Sequence, residues 1–298
     1  DAISGTGITA TIVGNGIHLY SKDPFGVSSP ERNLMNVVTS EANNIADLPR
    51  TGRHGYTVRI VNSGEDMDDY YLRFQVEGIS ADIDQTGTYA RSGNTVTYTA
   101  AAHGLSNGDQ IIANFTSGGA TDGFYTIANV TTDTFTTTDP SSGSDSGQNV
   151  SFTPARFGEG VWEEVCQPNI DITIDKDTMP LKLTRVLPGT FSINGGGSTS
   201  YANGAFRFDY PDWGVRDVGD DITNPPPSFI GYPIQKMAFF RNRIALLSAE
   251  NVILSRVNDF YNFWVKTAMA ISNADPIDLQ SSSTFPTKLY DAVEANTG

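Results

Sequence analysis

Short apolar runs separated by polar turns are the main pattern of this chain. Three such runs follow one another at 237–240, 244–247 and 252–254. The polar turns Arg241-Asn242-Arg243 and Ala249-Glu250-Asn251 separate them. Runs of this length joined by tight turns predict an antiparallel meander, which is the unit of a β-propeller blade.

The region from 1 to 78 combines strand patterns with one helix pattern. Alternating apolar residues predict strands at 56–61 and 70–76. Ser29 and Pro30 are typical of a helix N-cap and first helical position, and apolar residues continue at helical spacing to Ile45. The sequence therefore predicts a helix over about residues 29–46.

The composition changes between 79 and 154, where Thr, Ser, Gly and Asp dominate. Strand-like pieces recur there, separated by Gly-rich turns, which predicts a small inserted β-barrel. The low-complexity stretch 141–147 is expected to be a loop. The predicted core of the insert consists of Val96, Tyr98, Ile111, Phe115, Tyr125, Ile127, Val130 and Phe135.

These patterns predict a mainly β fold. It combines the start of a β-propeller and a β-rich, platform-like region with an inserted small β-barrel and one or two short helices. We divide the 298 residues into a β-rich region with one helix (1–78), the inserted barrel (79–154), a continuation of the β-rich region (155–230) and the first blade region of an incomplete propeller (231–298). The missing initiator Met and the unpatterned end indicate a piece of a longer, or a processed, polypeptide.

The net charge is −15, from 34 acidic and 19 basic side chains. A protein that reads nucleic-acid sequence normally presents a basic face, because neutralising phosphates supplies most of its affinity. The charge therefore argues against such a reader. Two explanations stay open: solubility, or an acidic lumen through which DNA passes without sticking.

The sequence contains few patterns that carry chemistry. Cys166 is the single cysteine, which excludes an internal disulfide and a cysteine-based zinc cluster. The histidines His18, His54 and His103 lack metal-site spacing, and no P-loop or serine-nucleophile elbow is present. No run approaches the roughly 18 apolar residues of a membrane span. We therefore predict no catalytic, cofactor-binding or metal-binding residues, and expect that the protein is not an enzyme.

Acidic residues beside Trp162 carry the enzymatic alternative. Hydrolysis of a glycan needs two carboxylates facing one sugar site. Glu163 and Glu164 are the first candidates, although neighbouring strand residues point to opposite faces. Further candidates are Asp171, Asp175 and Asp177.

Arginines and aromatic residues near the meander are the remaining candidates. Arg241, Arg243 and Arg256 either clasp the turns of the blade or contact DNA or a neighbouring subunit. Trp264 closes a dense aromatic cluster that is either a packed core corner or a stacking platform for bases. These four residues are our candidate structural or interface residues.

An ordered series of blocks carries a resemblance to a known family. The strongest block reads Val218-Gly219-Asp220-Asp221-Ile222-Thr223-Asn224-Pro225. Others lie, in order, at 48–49, 55–61, 69–74, 162–164, 177–180, 227–231, 239–243, 250–256 and 275–278. In these blocks the chain resembles tail tubular protein B, the nozzle protein of short-tailed bacteriophages (podoviruses).

The resemblance implies a structural protein of the phage tail, located in the virion. It implies a homo-hexamer below the adaptor ring of tail tubular protein A and near the tail fibres. Phage double-stranded DNA would be held back and then pass through the lumen without sequence-specific binding.

Family members are longer, and region 79–154 has no counterpart in their archetype. We expect this region to decorate the outside, as a docking site for fibres or as a host contact. The alternatives are a tail-associated glycan depolymerase and a host-receptor-binding tail module.

Overall fold

The computed structural model describes residues 7–21, 23–31, 34–62, 64, 66–79, 84–192, 198–201, 203–282, 285 and 287–293. Strands make up most of the regular structure in these residues, so the predicted mainly β fold is confirmed. The chain divides into two units, one of Asp1–Asn62 with Leu72–Glu163 and one of Ser63–Tyr71 with Glu164–Gly298.

The strands up to residue 165 form three sheets. A hairpin pairs β1 with β2, a five-stranded sheet has the order β3-β5-β6-β11-β4, and a four-stranded sheet has the order β7-β10-β8-β9. The strands are β1 (Thr9–Val13), β2 (Gly16–Tyr20), β3 (Glu41–Ala42), β4 (Thr51–Arg53), β5 (Thr57–Ile60), β6 (Tyr70–Val76), β7 (Gln85–Thr99), β8 (Gln110–Phe115), β9 (Gly123–Thr126), β10 (Thr134–Pro154) and β11 (Phe157–Val165).

The alternation of apolar and polar residues predicts two strands of the five-stranded sheet correctly. Every second residue of β6 is buried, as expected for a strand with one face on a core. Phe74 of β6 packs against Trp162, with 5.1 Å between ring centroids. The strands predicted at 56–61 and 70–76 are therefore confirmed.

The helix predicted over 29–46 is wrong. The described residues of this range form a single helical turn, in which the amides of Leu34 and Met35 donate to the carbonyl of Glu31. A short 3-10 helix, η1 (Ile45–Asp47), follows. Leu34 and Met35 are both exposed, so the apolar stripe has no core to pack on. Local spacing without tertiary packing does not stabilise a helix of this length.

The four-stranded sheet of the first unit has the core that the sequence predicts. Six of the eight predicted residues are buried, and Phe115 and Val130 pack against them, so this prediction is confirmed. Tyr98 and Phe135 stack with their centroids 4.5 Å apart. Closure of this sheet into a barrel stays a prediction.

The loop predicted at 141–147 is wrong, because β10 runs through this stretch. Asp145 lies opposite Arg91 of β7 in the ladder, and shifts in register flank the pair. Arg91 Nε lies 2.7 Å from Asp145 Oδ2. Gly143 has no room for a side chain because the Arg91 guanidinium occupies that space. Backbone pairing and the polar contacts of Arg91, with Asp139, Ser141 and Asp145, hold this stretch of β10, which has no apolar alternation.

The second unit contains the remaining strands and two more 3-10 helices, η2 (Asp66–Asp68) and η3 (Lys176–Thr178). Two-stranded sheets pair β12 with β15 and β13 with β14, and a four-stranded sheet has the order β16-β17-β18-β19. The strands are β12 (Lys182–Val186), β13 (Gly189–Ser192), β14 (Ser198–Tyr201), β15 (Ala205–Asp209), β16 (Ile234–Phe240), β17 (Arg243–Ser248), β18 (Asn251–Leu254) and β19 (Ile277–Gln280).

The predicted meander is confirmed, since β16, β17 and β18 pair antiparallel in sequence order. Strand β19 adds a fourth antiparallel member. All six residues of β17 are buried. One face of the sheet packs on a core that includes Ile244, Leu246, Ile253, Phe263 and Trp264. Its place in a propeller stays a prediction.

Candidate functional site

Arg243 is buried at the start of β17 and binds three backbone carbonyls. Its Nη1 donates to the carbonyls of Ser255 and Asp275, each at 2.6 Å, and its Nη2 donates to that of Asn273 at 2.7 Å. The guanidinium thus joins the start of β17 to the end of β18 and to the segment before β19. A planar fork of donors suits such a junction, whereas a single ammonium does not.

Arg241 occupies the hairpin turn between β16 and β17 and is exposed. Arg241 and Asn242 have φ values of 46° and 59°, and two such residues are typical of the two-residue turn that matches strand twist. The Arg241 guanidinium lies 5.4 Å from the centre of the Phe240 ring. This arginine contacts its own hairpin and presents its charge to solvent.

Arg256 follows β18 and is partly buried in a tight loop. Its Nη1 is 3.8 Å from Asp259 Oδ2, a distance typical of a loose ion pair. Its backbone amide donates to the carbonyl of Asn262 at 2.9 Å.

Trp264 is buried, and its indole Nε1 donates to the carbonyl of Gly214 at 3.0 Å. The neighbouring Phe263 packs edge-on against Phe229, with 5.1 Å between centroids. A ring inside a core is not available to stack on a base. The indole face of Trp264 instead carries a cation, Arg216, whose Cζ is 5.2 Å from the ring centre.

Sequence reasoning missed Arg216, which is only 1% exposed. Its Nη1 donates to the carbonyl of Asp171 at 3.2 Å and to Asp221 Oδ1 at 2.9 Å. The Asp221 side chain is itself mostly exposed. Arg216 lies in the stretch 212–221, where charged and apolar residues are mixed without a period that would reveal its burial. The fold supplies this cation with the ring of Trp264, one backbone carbonyl and the Asp221 carboxylate.

Cys166 lies beside Arg216 and donates its thiol to the Arg216 carbonyl at 2.9 Å. Burial raises the pKa of this thiol to about 11, with Asp217 and Glu164 adding to the effect and Arg216 opposing it. Since the thiolate is the reactive form, a thiol with this pKa is a poor nucleophile near neutral pH.

The strongest sequence block, 218–225, folds into a turn whose polar side chains are hydrogen-bonded within the protein. Asp220 Oδ1 accepts from the amides of Ile222 and Thr223, each at 2.9 Å. Asn224 donates to the carbonyl of Val218 at 2.9 Å and accepts from the amide of Val265 at 3.1 Å. The Asp220 carboxylate and the Asn224 side-chain amide are therefore occupied by hydrogen bonds within the protein.

Two of the carboxylates considered for glycan cleavage, those of Glu164 and Asp175, accept hydrogen bonds within the protein. Glu164 accepts from the Thr267 hydroxyl and from the Ala268 amide, each at 2.6 Å. Asp175 caps η3 by accepting from the amide of Asp177 at 3.0 Å. At Asp171 it is the backbone carbonyl, and not the carboxylate, that accepts from Arg216. Each of these interactions holds a loop in place.

The histidines lie in separate local settings. The Nδ1 of His54 accepts from the amide of Val76, and that of His103 from the amide of Leu105, both at 3.1 Å. His18 of β2 packs edge-on against Phe157, with 5.1 Å between centroids. Within the described ranges, no group of three or more His, Cys, Asp or Glu side chains is placed to hold a metal ion. The described residues also include no helix with the length and apolar content needed to span a bilayer.

The fold and these contacts describe a mainly β protein in which charged and aromatic side chains hold turns and loops in place. The family model of the bacteriophage nozzle protein matches residues 3–88 and 137–298 of the chain. This is more than half of the sequence, and the chain belongs to that family. The predicted resemblance is confirmed, and the protein is a structural component of the phage virion tail.

The chain is also similar to the tail tubular protein gp12 of Escherichia phage T7. The two are 37% identical over 123 residues, which are 41% of this chain and 14% of the T7 protein. Among solved structures, phage phi92 endosialidase aligns over 85% of this chain and 40% of its own, with a TM-score of 0.22 and 17% identity. A TM-score this low carries no argument about fold or activity.

Proposed function

We propose that this protein is a subunit of the tail nozzle and helps form the channel that retains the phage genome and conducts it at ejection. The observation that carries this proposal is the family match, which covers most of both structural units. The buried arginines Arg243 and Arg216 support it, because they bind backbone carbonyls inside the protein and so are not available to phosphate.

The nozzle would be a homo-hexameric ring below the adaptor ring of tail tubular protein A, with tail fibres nearby. The net charge of −15 on this chain favours a wall that repels phosphate. Double-stranded DNA would then pass without sequence-specific binding, because strong binding needs several phosphate-neutralising cations.

We further propose that β16–β19 form the first blade of a propeller within the region 231–298. Four antiparallel strands in sequence order are the usual blade. The remaining division into a β-rich region at 1–78, an insert at 79–154 and a continuation at 155–230 is likewise our proposal.

The insert has a separate role in this proposal. Residues 89–136 lie between the two parts that the family model matches, and they belong to a sheet with its own core. We propose that the insert decorates the outside of the nozzle and contacts a fibre or the host surface. If particles that lack 79–154 assemble but fail to adsorb, the insert is a host contact; normal adsorption would refute that role.

The central test is the assembly of the full-length protein. Cryo-electron microscopy of virions should show a six-fold ring of this protein in the tail, and mass photometry of the purified protein should show a hexamer. A stable monomer in solution together with a position outside the tail axis would overturn the proposal.

A further inference from the structure

The sheet of β7, β8, β9 and β10, which we call the insert sheet, is joined at its C-terminal end to the five-stranded sheet by a sharp turn. The amide of Arg156 donates to the carbonyl of Pro154 at 3.1 Å, which is the hydrogen bond of a three-residue γ-turn. The Ala155 amide donates to the Gln110 carbonyl of β8, and the Arg156 carbonyl accepts from the His54 amide, each at 2.7 Å. The backbone therefore passes from one sheet to the other within two residues.

The two ends of the insert sheet lie side by side. Gln85 at the start of β7 pairs with Phe152 near the end of β10. The strands of the five-stranded sheet on either side of the insert, β6 and β11, are also neighbours. A folded part attached through adjacent strand ends moves relative to its neighbour unless a large apolar interface holds it. The direction of the insert sheet therefore depends on the contacts that lie across this boundary.

The β1–β2 hairpin lies across the boundary and contacts both sheets with one face. Thr11 is paired with His18, and Tyr20 lies two residues further along β2, so the three side chains share that face. His18 packs edge-on against Phe157 of the five-stranded sheet, with 5.1 Å between ring centroids. Tyr20 packs against Phe124 of β9 in the insert sheet, with 5.2 Å between centroids. Neighbouring positions of one strand thus hold different sheets.

The contact between the hairpin and the insert sheet is a weak one. The Thr11 hydroxyl donates to Gln110 Oε1 at 3.5 Å, which is long for a hydrogen bond. The large apolar side chains Ile12 and Ile17 lie on the opposite face of the hairpin and are 80% and 57% exposed. Their burial therefore does not hold the hairpin against either sheet. A ring pair and a long hydrogen bond form a contact that can open while both sheets stay folded.

We propose that the β1–β2 hairpin is a latch that fixes the direction of the insert sheet, and that parting Tyr20 from Phe124 lets this sheet rotate about residues 155–156. A few residues at the end of a strand are enough to act as such a hinge. The insert sheet keeps its structure when released, because its buried side chains form a core of their own. The inference rests on the proposed role of the insert as an outer contact of the nozzle, since a fibre or host surface that pulls on the insert acts on this latch.

The test measures the distance between the two sheets in the full-length protein. Spin labels are attached to Thr97→Cys on β7 and Glu163→Cys on β11, both exposed, with Cys166→Ser to remove the native thiol. Double electron–electron resonance then gives the distribution of distances between the labels. We expect Tyr20→Ala to increase the population of a second, released distance about tenfold, as loss of an aromatic pair and its buried area predicts.

The controls separate release of the latch from damage to the hairpin. Tyr20→Phe keeps the ring pair and should keep the original distribution, and so should Ile17→Ala, which changes the opposite face of β2. Phe124→Ala removes the other ring and should reproduce the released distance of Tyr20→Ala. An unchanged distribution in Tyr20→Ala, or equal broadening in Ile17→Ala, overturns the latch.

Hydrogen exchange of the same variants distinguishes rotation from unfolding. We expect the amides of β7 and β10 to stay protected in Tyr20→Ala. If they lose protection, the hairpin is part of the core of the insert sheet and the latch proposal is wrong. If Tyr20→Ala releases the sheet while particles that lack 79–154 adsorb normally, the latch stands and the host-contact role falls. If those particles fail to adsorb and Tyr20→Ala changes no distance, the role stands and the latch falls.

Discussion

Arg243→Met should destabilise the second unit more than any exposed substitution near it. The arginine is buried and makes three hydrogen bonds of 2.6–2.7 Å to the carbonyls of Ser255, Asn273 and Asp275. Charge-assisted bonds of this kind contribute about 1.5–3 kcal/mol each before the cost of burying the charge is subtracted. Methionine fills much of the volume but leaves three buried acceptors without these donors. We therefore expect a net loss of about 3–5 kcal/mol.

The measurement is urea unfolding followed by tryptophan fluorescence, since Trp213 and Trp264 both belong to the second unit. A loss of this size lowers the melting temperature of such a unit by on the order of 10 °C. Arg241→Met is the matched control, because Arg241 is exposed and its guanidinium lies over the Phe240 ring. Its expected change in the free energy of unfolding is within about 0.5 kcal/mol. Arg243→Lys should fall between the two. Equal midpoints for the Arg243→Met and Arg241→Met variants would refute the reasoning.

Three further predictions concern other parts of the chain. Burial, with Arg53 as a second cause, lowers the pKa of His18 from 6.5 to about 4. As the pH falls, His18 is protonated in the unfolded chain near pH 6.5 but in the folded chain only near pH 4. His18 should therefore contribute stability above pH 6.5 that is lost as the pH falls towards 4. After discounting for partial exposure this amounts to about 1–2 kcal/mol, and His18→Phe should flatten the pH profile of urea midpoints in that window; an unchanged slope would contradict it. Asp139 is buried and accepts hydrogen bonds from Thr121 and Ser141; burial raises its pKa, and these bonds more than offset that effect and lower it. Asp139→Asn should cost the insert about 2–4 kcal/mol in thermal unfolding, and a wild-type melting curve would rule out a structural role. Gly219→Ala should lower the free energy of unfolding by about 1–3 kcal/mol, because φ is +79° and a Cβ would lie 2.8 Å from Thr223 Oγ1. Gly231→Ala is the control for backbone strain alone, since Gly231 has a φ of +81° and no atom near the added Cβ. Equal losses in the two variants would show that the contact with Thr223 contributes nothing.

The sequence predicted what depends on apolar alternation. The strands of the five-stranded sheet and the core of the insert follow from side chains that repeat every second residue. The helix at 29–46 failed because an N-cap and an apolar stripe are local signals, and Leu34 and Met35 find no surface to pack on. The strand through 141–147 was missed because a Gly/Ser run has no pattern, and the Arg91–Asp145 pair that holds it joins distant parts of the chain.

Buried charges were the least predictable feature. Arg241 and Arg243 are two residues apart in one turn, and their different fates depend on the hairpin register that pairs Arg243 with Phe240. Arg216 is buried by a ring that lies 48 positions away in sequence, Trp264. Neither partner is visible in local spacing. Pairwise contacts of this kind need the fold before they can be named.

The distribution of buried charge bears on the proposed channel. Among the described residues, three arginines and four aspartates are buried, so their charges nearly cancel. They are Arg91, Arg216, Arg243, Asp69, Asp139, Asp220 and Asp275. The acidic excess of the described residues therefore lies mostly on side chains that are at least partly exposed to solvent. A surface with this excess repels phosphate over about one Debye length, roughly 8 Å at physiological salt. A wall of such subunits would hold DNA by confinement and not by adhesion, and would release it without first breaking ion pairs.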